Sequence, residues 1–168
     1  ILITGGAGFI GSHLAELLLS RGDDVTALDN LSTGCVENIA HLEGNARFHL
    51  VVGDVLERDL TDKLMERCDR VYHLAAAVGV ELIVKKPWET LATNIRGTEV
   101  VLEMACRYRK KVLITSCAFG NVMPRVTGAA VKGGAEQVQV VDIIENELIN
   151  ARRKMPEFAD KLAFYKQD

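Results

Sequence analysis

Short apolar runs alternate with amphipathic stretches from residue 1 to about residue 116. The runs Ile1 to Thr4, Val25 to Leu28, Phe48 to Val52, Val71 to Leu74 and Val112 to Thr115 are rich in β-branched and apolar residues. Near-continuous apolar strands of this kind fit a parallel sheet covered on both faces. The stretches between them read as helices. Ser12 to Ser20 sets Leu14, Leu17 and Leu18 on one face, with Gly22 placed to end it. Leu60 to Arg67 follows Asp59, a candidate cap. A long helix starts near Pro87 and runs through Thr98, Val101, Leu102 and Ala105. It ends on Arg107-Tyr108-Arg109-Lys110-Lys111, where the helix dipole favours cations.

Strand–helix alternation predicts right-handed crossovers and a doubly wound α/β parallel sheet. The rhythm fails after Ser116. Residues 117–134 are rich in glycine and small side chains and read as loop. Val138 to Val141 reads as a short strand. Ile143 to Lys154 reads as helix, with Ile144, Leu148 and Ile149 on one face, and Phe158 to Phe164 as one more short helix after Pro156. The expected organisation is a domain over 1–116 and an atypical tail over 117–168, a loop followed by helices. The sheet is then truncated, with an irregular or helical C-terminal tail.

The chain has 168 residues, and 48% are hydrophobic, enough for one domain with a buried core. A formal net charge of −3 points to neither nucleic acid nor an anionic membrane. The basic run at the end of the long helix is better explained by its position than by a nucleic-acid patch. Cys35, Cys68, Cys106 and Cys117 show no CxxC pairing and no ligand-like spacing. They read as reduced thiols in a cytoplasmic protein, with no metal site and no disulfide framework. No apolar run reaches membrane-spanning length. The chain opens directly on a strand, so no signal peptide is expected and the start codon is expected upstream.

The strongest motif is Gly5-Gly6-Ala7-Gly8-Phe9-Ile10-Gly11, between the first strand and the first helix. That context turns a glycine pattern into a phosphate-binding turn of the Rossmann type. An early glycine permits a tight turn with positive φ, Gly8 lets the backbone approach a diphosphate, and Gly11 lets helix and strand pack closely. The helix N-terminus offers unpaired N–H groups and partial positive charge to the phosphates. Asp29 ends the second strand, where a carboxylate accepts hydrogen bonds from the adenosine ribose hydroxyls. A phosphate on that ribose, as in NADP, would face it. Two unit charges about 4 Å apart repel by roughly 4 kcal/mol at an effective dielectric of 20. A third of that is about tenfold in affinity. Asn30-Leu31-Ser32-Thr33-Gly34 is neutral and carries no compensating arginine, so NAD is favoured as cofactor. A turn-capping aspartate is the alternative reading of Asp29.

Taken together, Gly5 to Leu14 (GGAGFIGSHL), Asp29 to Gly34 (DNLSTG), Gly53-Asp54-Val55, His73-Leu74-Ala75-Ala76 and Asn94-Ile95-Arg96-Gly97-Thr98 resemble the successive motifs of extended short-chain dehydrogenases/reductases. Within that family they look like NAD-dependent nucleotide-sugar epimerases, dehydratases and decarboxylases. The resemblance covers about residues 1–116. It implies cofactor contacts at Gly5, Gly8, Phe9, Ile10, Gly11, Asp29, Asn30, Ser32, Thr33 and Gly34. It further implies Asp54 and Val55 along the adenine, and Leu74, Ala75 and Ala76 lining the cofactor. Asn94 would brace nearby backbone, and Thr115 would approach the nicotinamide half. It also implies a nucleotide-sugar substrate and a homodimer through the 87–107 helix. Without the family, Asp54 can be a turn cap, Ala75 and Ala76 close packing, and Asn94 a solvated helix residue. His73, in a buried strand, reads as structural rather than catalytic.

The resemblance breaks at the chemistry. The family uses a Tyr-x-x-x-Lys pair, in which the lysine's charge lowers the pKa of a tyrosine that acts as acid and base. The chain has 3 tyrosines, Tyr72, Tyr108 and Tyr165, and none is followed by lysine at that spacing. Thr115-Ser116-Cys117-Ala118-Phe119-Gly120 is a shortened form of the family's serine-rich turn. Ser116 is the candidate for the catalytic hydroxyl. Phe119 to Arg125 resembles a segment that normally follows the tyrosine, so an internal stretch is expected to be missing after Ser116. Two functions stay open: a nucleotide-sugar enzyme acting by transient NAD-mediated oxidation, incomplete as written, or a noncatalytic dinucleotide-binding sensor or interaction module.

Overall fold

The computed structural model describes residues 1–77, 85 and 87–115, together with the backbone of 137–141 and 162–165. In chain order the elements are β1 (Leu2–Thr4), α1 (Phe9–Ser20), β2 (Val25–Asp29), two 3-10 turns (Val36–Asn38 and Ala40–Leu42), β3 (Phe48–Val52), α2 (Arg58–Glu66), β4 (Arg70–His73), α3 (Pro87–Arg107), β5 (Lys111–Thr115), β6 (Gln137–Val141) and β7 (Leu162–Tyr165). The strands form one sheet in the order β3-β2-β1-β4-β5-β6-β7, and every pairing is parallel. The order reverses beside β1, with β2 on one side and β4 on the other, which makes the β1–β4 boundary the topological switch point.

Each face of the sheet has its own core. Leu2, Leu28, Val71, Val112 and Ile114 pack with Met65 of α2 and Val101, Leu102 and Ala105 of α3. Ile3 and Val25 pack with Ala15, Leu18 and Leu19 of α1 and with Ile39 and Leu42 of the 3-10 turns on the other. Leu2 and Ile3 are neighbours in sequence yet belong to opposite cores, because successive strand side chains point to opposite faces. That two-sided burial explains why the central strands read as unbroken apolar runs.

Element by element, the strands fall within a residue of their sequence-based spans, and the helix starts differ more. α1 begins at Phe9, three residues before Ser12, because the apolar Phe9-Ile10-Gly11 triplet is helical with its two large side chains outward. Its far end matches the glycine reading. Gly22 sits at φ +95°, its N–H bonding Leu19 O at 3.0 Å and the Asp23 N–H bonding Leu18 O at 3.1 Å. The cap of α2 is Glu57, whose carbonyl accepts the Thr61 N–H, and not Asp59, which lies in the first turn. There its charge still suits the positive end of the helix. The 3-10 turns had no sequence signal. In the tail, Val138–Val141 is strand as read, and the structure extends it to Gln137. The helix read over Phe158 to Phe164 is corrected by β7, because Leu162-Ala163-Phe164-Tyr165 pairs in register with Val138–Val141. A short apolar run does not separate the two states by period alone. The helix read over 143–154 lies outside the described residues. No helix among the described residues is long and apolar enough to cross a membrane.

Candidate functional site

The carboxyl ends of the strands carry the glycine turn. Gly5 follows β1 at φ +73°, a conformation that favours glycine, and a Cβ there would sit 2.8 Å from Ala75 N and 2.9 Å from Ala75 Cα. The turn and the end of β4 therefore touch backbone to backbone at the topological switch. Gly8 is the N-cap of α1, makes no side-chain cap bond, and precedes a first turn without acidic side chains. Neither a capping side chain nor a first-turn carboxylate therefore occupies the positive end of the helix dipole. Phe9 and Ile10 stand 77% and 64% exposed beside it.

Asp29 closes the next side of the site. Its buried carboxylate accepts the Ala7 N–H on Oδ2 and the Leu31 N–H on Oδ1, both at 2.9 Å. A carboxylate offers about four acceptor positions, so two remain for hydroxyl donors. A Cβ on Gly34 would lie 2.8 Å from either carboxylate oxygen, so only glycine lets this loop lie against Asp29. Ala7 is a hub the sequence reading missed. Its carbonyl accepts the Cys35 N–H at 3.0 Å and Asn38 Nδ2–H at 2.9 Å, fastening the Asp29–Asn38 loop to the glycine turn. Asn30 donates from Nδ2 to Asp54 Oδ2 at 2.9 Å and accepts the Ser32 N–H at 3.1 Å. Asp54 Oδ1 accepts the Leu56 N–H at 2.9 Å, an aspartate turn around the buried Val55. Ser32 and Thr33 are exposed on the same loop.

Beyond β1 the site continues along Leu74, Ala75 and Ala76. Beneath them lies a buried polar chain that begins with a register pair, Thr4 opposite His73. Thr4 Oγ1 accepts the Ala75 N–H at 3.2 Å and lies 2.7 Å from His73 Nδ1. His73 Nε2 lies 3.2 Å from Thr98 Oγ1, whose own proton goes to the Asn94 carbonyl at 2.9 Å. With that proton committed, the Thr98 oxygen accepts from Nε2–H, and Nδ1 is left to accept from the Thr4 hydroxyl. Burial pulls the His73 pKa down from 6.5 to about 4, so the ring is neutral. The Asn94 side chain then grips Ala77 on both sides, accepting its N–H at 2.6 Å and donating to its carbonyl at 3.2 Å. Asn94 is therefore a clamp on the β4 loop and not a solvated residue. Thr4 and Thr98 were not read as site residues, since a threonine in a strand or helix is common.

Thr115 ends β5 and is placed by its backbone alone, and Ser116 lies outside the described residues. Neither tyrosine with a described side chain is set up as an acid or base. Tyr72 belongs to β4, among the partly buried residues on the α1 side. Tyr108 donates to Asp62 at 3.1 Å beyond the last turn of α3, and burial together with the Asp62 carboxylate raises its pKa. An acid–base tyrosine needs the opposite shift. No group of three or more metal-ligating side chains is found among the described residues.

A sheet reversed beside β1, an open helix start at that reversal and a carboxylate at the end of β2 define the class, a Rossmann-type nucleotide-binding fold. The chain belongs to the NAD dependent epimerase/dehydratase family, whose model matches residues 1–133. It is 42% identical over 116 residues to UDP-glucuronic acid decarboxylase 1 of Arabidopsis thaliana, covering 69% of this chain and 26% of that one. It is also 42% identical over 125 residues to UDP-N-acetyl-alpha-D-glucosaminuronate decarboxylase of Bacillus cytotoxicus, covering 73% of this chain and 38% of that one. Among solved structures it resembles dTDP-glucose 4,6-dehydratase from Streptomyces venezuelae with NAD and TYD bound, at a TM-score of 0.76 and 25% identity over 84% of this chain and 54% of that one. It likewise resembles UDP-glucuronic acid 4-epimerase from Bacillus cereus in complex with UDP-glucuronic acid and NAD, at a TM-score of 0.73 and 28% identity over 84% of this chain and 55% of that one. The chain spans well under half the length of these two decarboxylases.

Proposed function

We propose that this chain binds NAD along the carboxyl edge of the sheet and supplies the dinucleotide-binding half of a nucleotide-sugar decarboxylase, epimerase or dehydratase. One observation carries the reading. The uncapped start of α1 at Gly8 lies beside the Asp29 carboxylate, which is held by two backbone N–H groups with acceptor positions to spare. In this reading the diphosphate lies at Gly8 to Gly11, and the adenosine ribose hydroxyls on Asp29, with Asn30, Ser32, Thr33 and Gly34 around them. Asp54 and Val55 border the adenine, Leu74 to Ala76 form the floor, and Thr115 lies toward the nicotinamide. The bound nicotinamide would supply hydride transfer to and from a sugar carbon. These 168 residues contain no Tyr-x-x-x-Lys pair, so the family's acid–base couple is absent from them and hydride transfer to NAD would need another proton acceptor. That same absence favours, as the second reading, a dinucleotide-binding module without catalysis. The reading keeps a cytoplasmic location, consistent with the free thiols of Cys35 and Cys68. It also keeps a homodimer through α3, whose outward face is headed by Trp88 at 80% exposure.

Isothermal titration with NAD and NADP tests the proposal. We expect NAD to bind and NADP to bind at least about tenfold more weakly, from the repulsion between Asp29 and a ribose phosphate. A folded chain that takes up neither would overturn it. Adding NAD with a panel of UDP-, dTDP- and GDP-sugars separates the two readings. A rise in reduced-nicotinamide absorbance marks the enzyme, and a flat trace with NAD bound marks the module. Sedimentation velocity reads the dimer, and a strict monomer at high concentration sinks that part alone.

A further inference from the structure

The buried chain under the β4 loop has a direction that no surface group can supply. The Ala75 N–H donates to Thr4 Oγ1, the Thr4 hydroxyl to His73 Nδ1, His73 Nε2–H to Thr98 Oγ1, and the Thr98 hydroxyl to the Asn94 carbonyl. Every hydroxyl proton in it is committed, so reversing any one bond leaves a buried donor or acceptor without a partner. His73 is the only member that touches both ends, linking β1 to α3 across the sheet. One end sets the Ala75 amide, which abuts Gly5 of the glycine turn. The other sets the helical turn from which Asn94 grips Ala77.

We propose that His73 is a positioning residue for the dinucleotide: as the neutral Nε2–H tautomer it locks the backbone of Ala75–Ala77 against the glycine turn. The proposal rests on the NAD-binding reading above for its functional consequence, although the lock itself is a property of the ligand-free chain. It explains why a histidine is needed in a site that otherwise holds aliphatic side chains. An apolar ring of the same size would fill the volume but leave the Thr4 and Thr98 hydroxyls and the Ala75 N–H to compete for other partners.

The test uses the 168-residue chain, with NAD as the probe. In the ligand-free protein, ¹⁵N–¹H spectra of the imidazole report the tautomer, and amide hydrogen exchange reports Ala75 and Ala77. We expect protonated Nε2, unprotonated Nδ1 and protected amides at both alanines. Thr98→Val removes the acceptor for Nε2–H and keeps the shape. We expect it to weaken NAD binding by roughly fivefold to tenfold, the worth of one buried hydrogen bond. It should also speed exchange at Ala77, while Thr98→Ser restores most of both. An Nδ1–H tautomer in the wild-type chain overturns the proposal, and so does a folded Thr98→Val chain with unchanged affinity and exchange. Should Thr98→Val not fold, Thr4→Ser and Thr4→Val give the same contrast at the other end, read at Ala75. A wild-type chain that shows the tautomer and the protection but binds no NAD refutes the function proposed above, not the lock.

Discussion

α3 is fastened by two polar networks of opposite design. On its inner face, Thr98 and Asn94 join the buried uncharged chain through His73. On its outer face, Glu103 pairs with Arg58 and Arg107 with Asp62 at 2.7 Å, and just past its end Lys110 Nζ donates to the Glu66 carbonyl at 3.3 Å, all toward α2. The inner network has no full charge and little freedom, and each group has one partner it can use. The outer network has full charges, long flexible stems and solvent competing for every bond. Low dielectric strengthens the first and makes any missing partner costly, whereas water and salt screen the second. Stability and ligand geometry should therefore depend on the inner network and hardly at all on the outer one.

The largest effect should come from forcing the turn away from the inner network. Gly5→Ala adds a Cβ within 2.9 Å of Ala75 backbone atoms, at a residue whose φ is +73°. No side chain can swing aside, so the strand ends must separate. We expect a loss of more than about 3 kcal/mol by urea unfolding, combining the clash with the left-handed backbone. Gly44→Ala is the control, with φ +83° but open space around it, and should lose only about 1 kcal/mol. Equal losses would show that the contact between the turn and β4 adds nothing.

Next comes acid. The His73 pKa falls from 6.5 in the unfolded chain to about 4 in the folded one, because burial disfavours the imidazolium. Between those values the unfolded chain binds more protons, so stability is full above about pH 6.5 and declines as pH drops toward 4. Across that interval the loss approaches ~3 kcal/mol, since each pH step of one costs about 1.4 kcal/mol. In the outer network Asp62 and Glu103 have lowered carboxyl pKa values, from the Arg107 and Arg58 hydrogen bonds respectively. Their contributions are present above the ordinary carboxylate range and fade only in stronger acid, so the two networks titrate in different windows. Urea midpoints from pH 7 to pH 4 should fall for the wild-type chain and stay nearly flat over that span for His73→Phe. A parallel decline in both would assign the acid sensitivity elsewhere.

These networks also mark how far the sequence could be read. β1, β2, β4 and β5 were legible because strands covered on both faces are largely apolar, the half-exposed edge strand β3 because its run is still apolar and β-branched, and the Gly5–Gly11 turn because its glycines sit between strand and helix. Asp29 was legible as a carboxylate at a strand end. The His73 chain was not, because Thr4 and His73 are 69 residues apart and meet only through the parallel register of β1 and β4. Thr98 gives no local cue that its hydroxyl is committed to its own helix. β7 was misread because four apolar residues fit either period, and only pairing with β6 decides between them. Tertiary register, and not local preference, supplied what was missing.

A smaller effect of opposite sign lies where α3 ends. Arg109 holds φ +53° in a helix stop built like that of Gly22, with the Lys110 N–H on Ala105 O at 2.9 Å. A left-handed arginine costs on the order of 1 kcal/mol that glycine avoids, less what glycine loses from a freer unfolded chain. Arg109→Gly should therefore raise stability by about 0.5 kcal/mol in a thermal or urea melt, although it removes a cation from the basic run. A loss instead would give the charge at this end of α3 more weight than a solvent-screened outer face allows.

The smallest effect, and the sharpest test of the contrast between the two faces, is the Arg58–Glu103 pair. Both side chains are more than half exposed, at 52% and 57%, so neither is desolvated when they meet. Holding two long side chains in one geometry consumes much of what the contact returns, and mobile ions screen the remainder. A double-mutant cycle of Arg58→Ala and Glu103→Ala should give no coupling resolvable from zero at physiological salt. Arg107 and Asp62 form the internal standard. Asp62 is only 28% exposed and also accepts from Tyr108, so its arginine has a better-fixed partner. Its cycle should give a small positive coupling that vanishes in about 1 M salt, where screening shortens to about 3 Å. A strong, salt-resistant coupling at Arg58–Glu103 would mean that α3 is held from outside as firmly as from within, and the distinction between its two faces would fail.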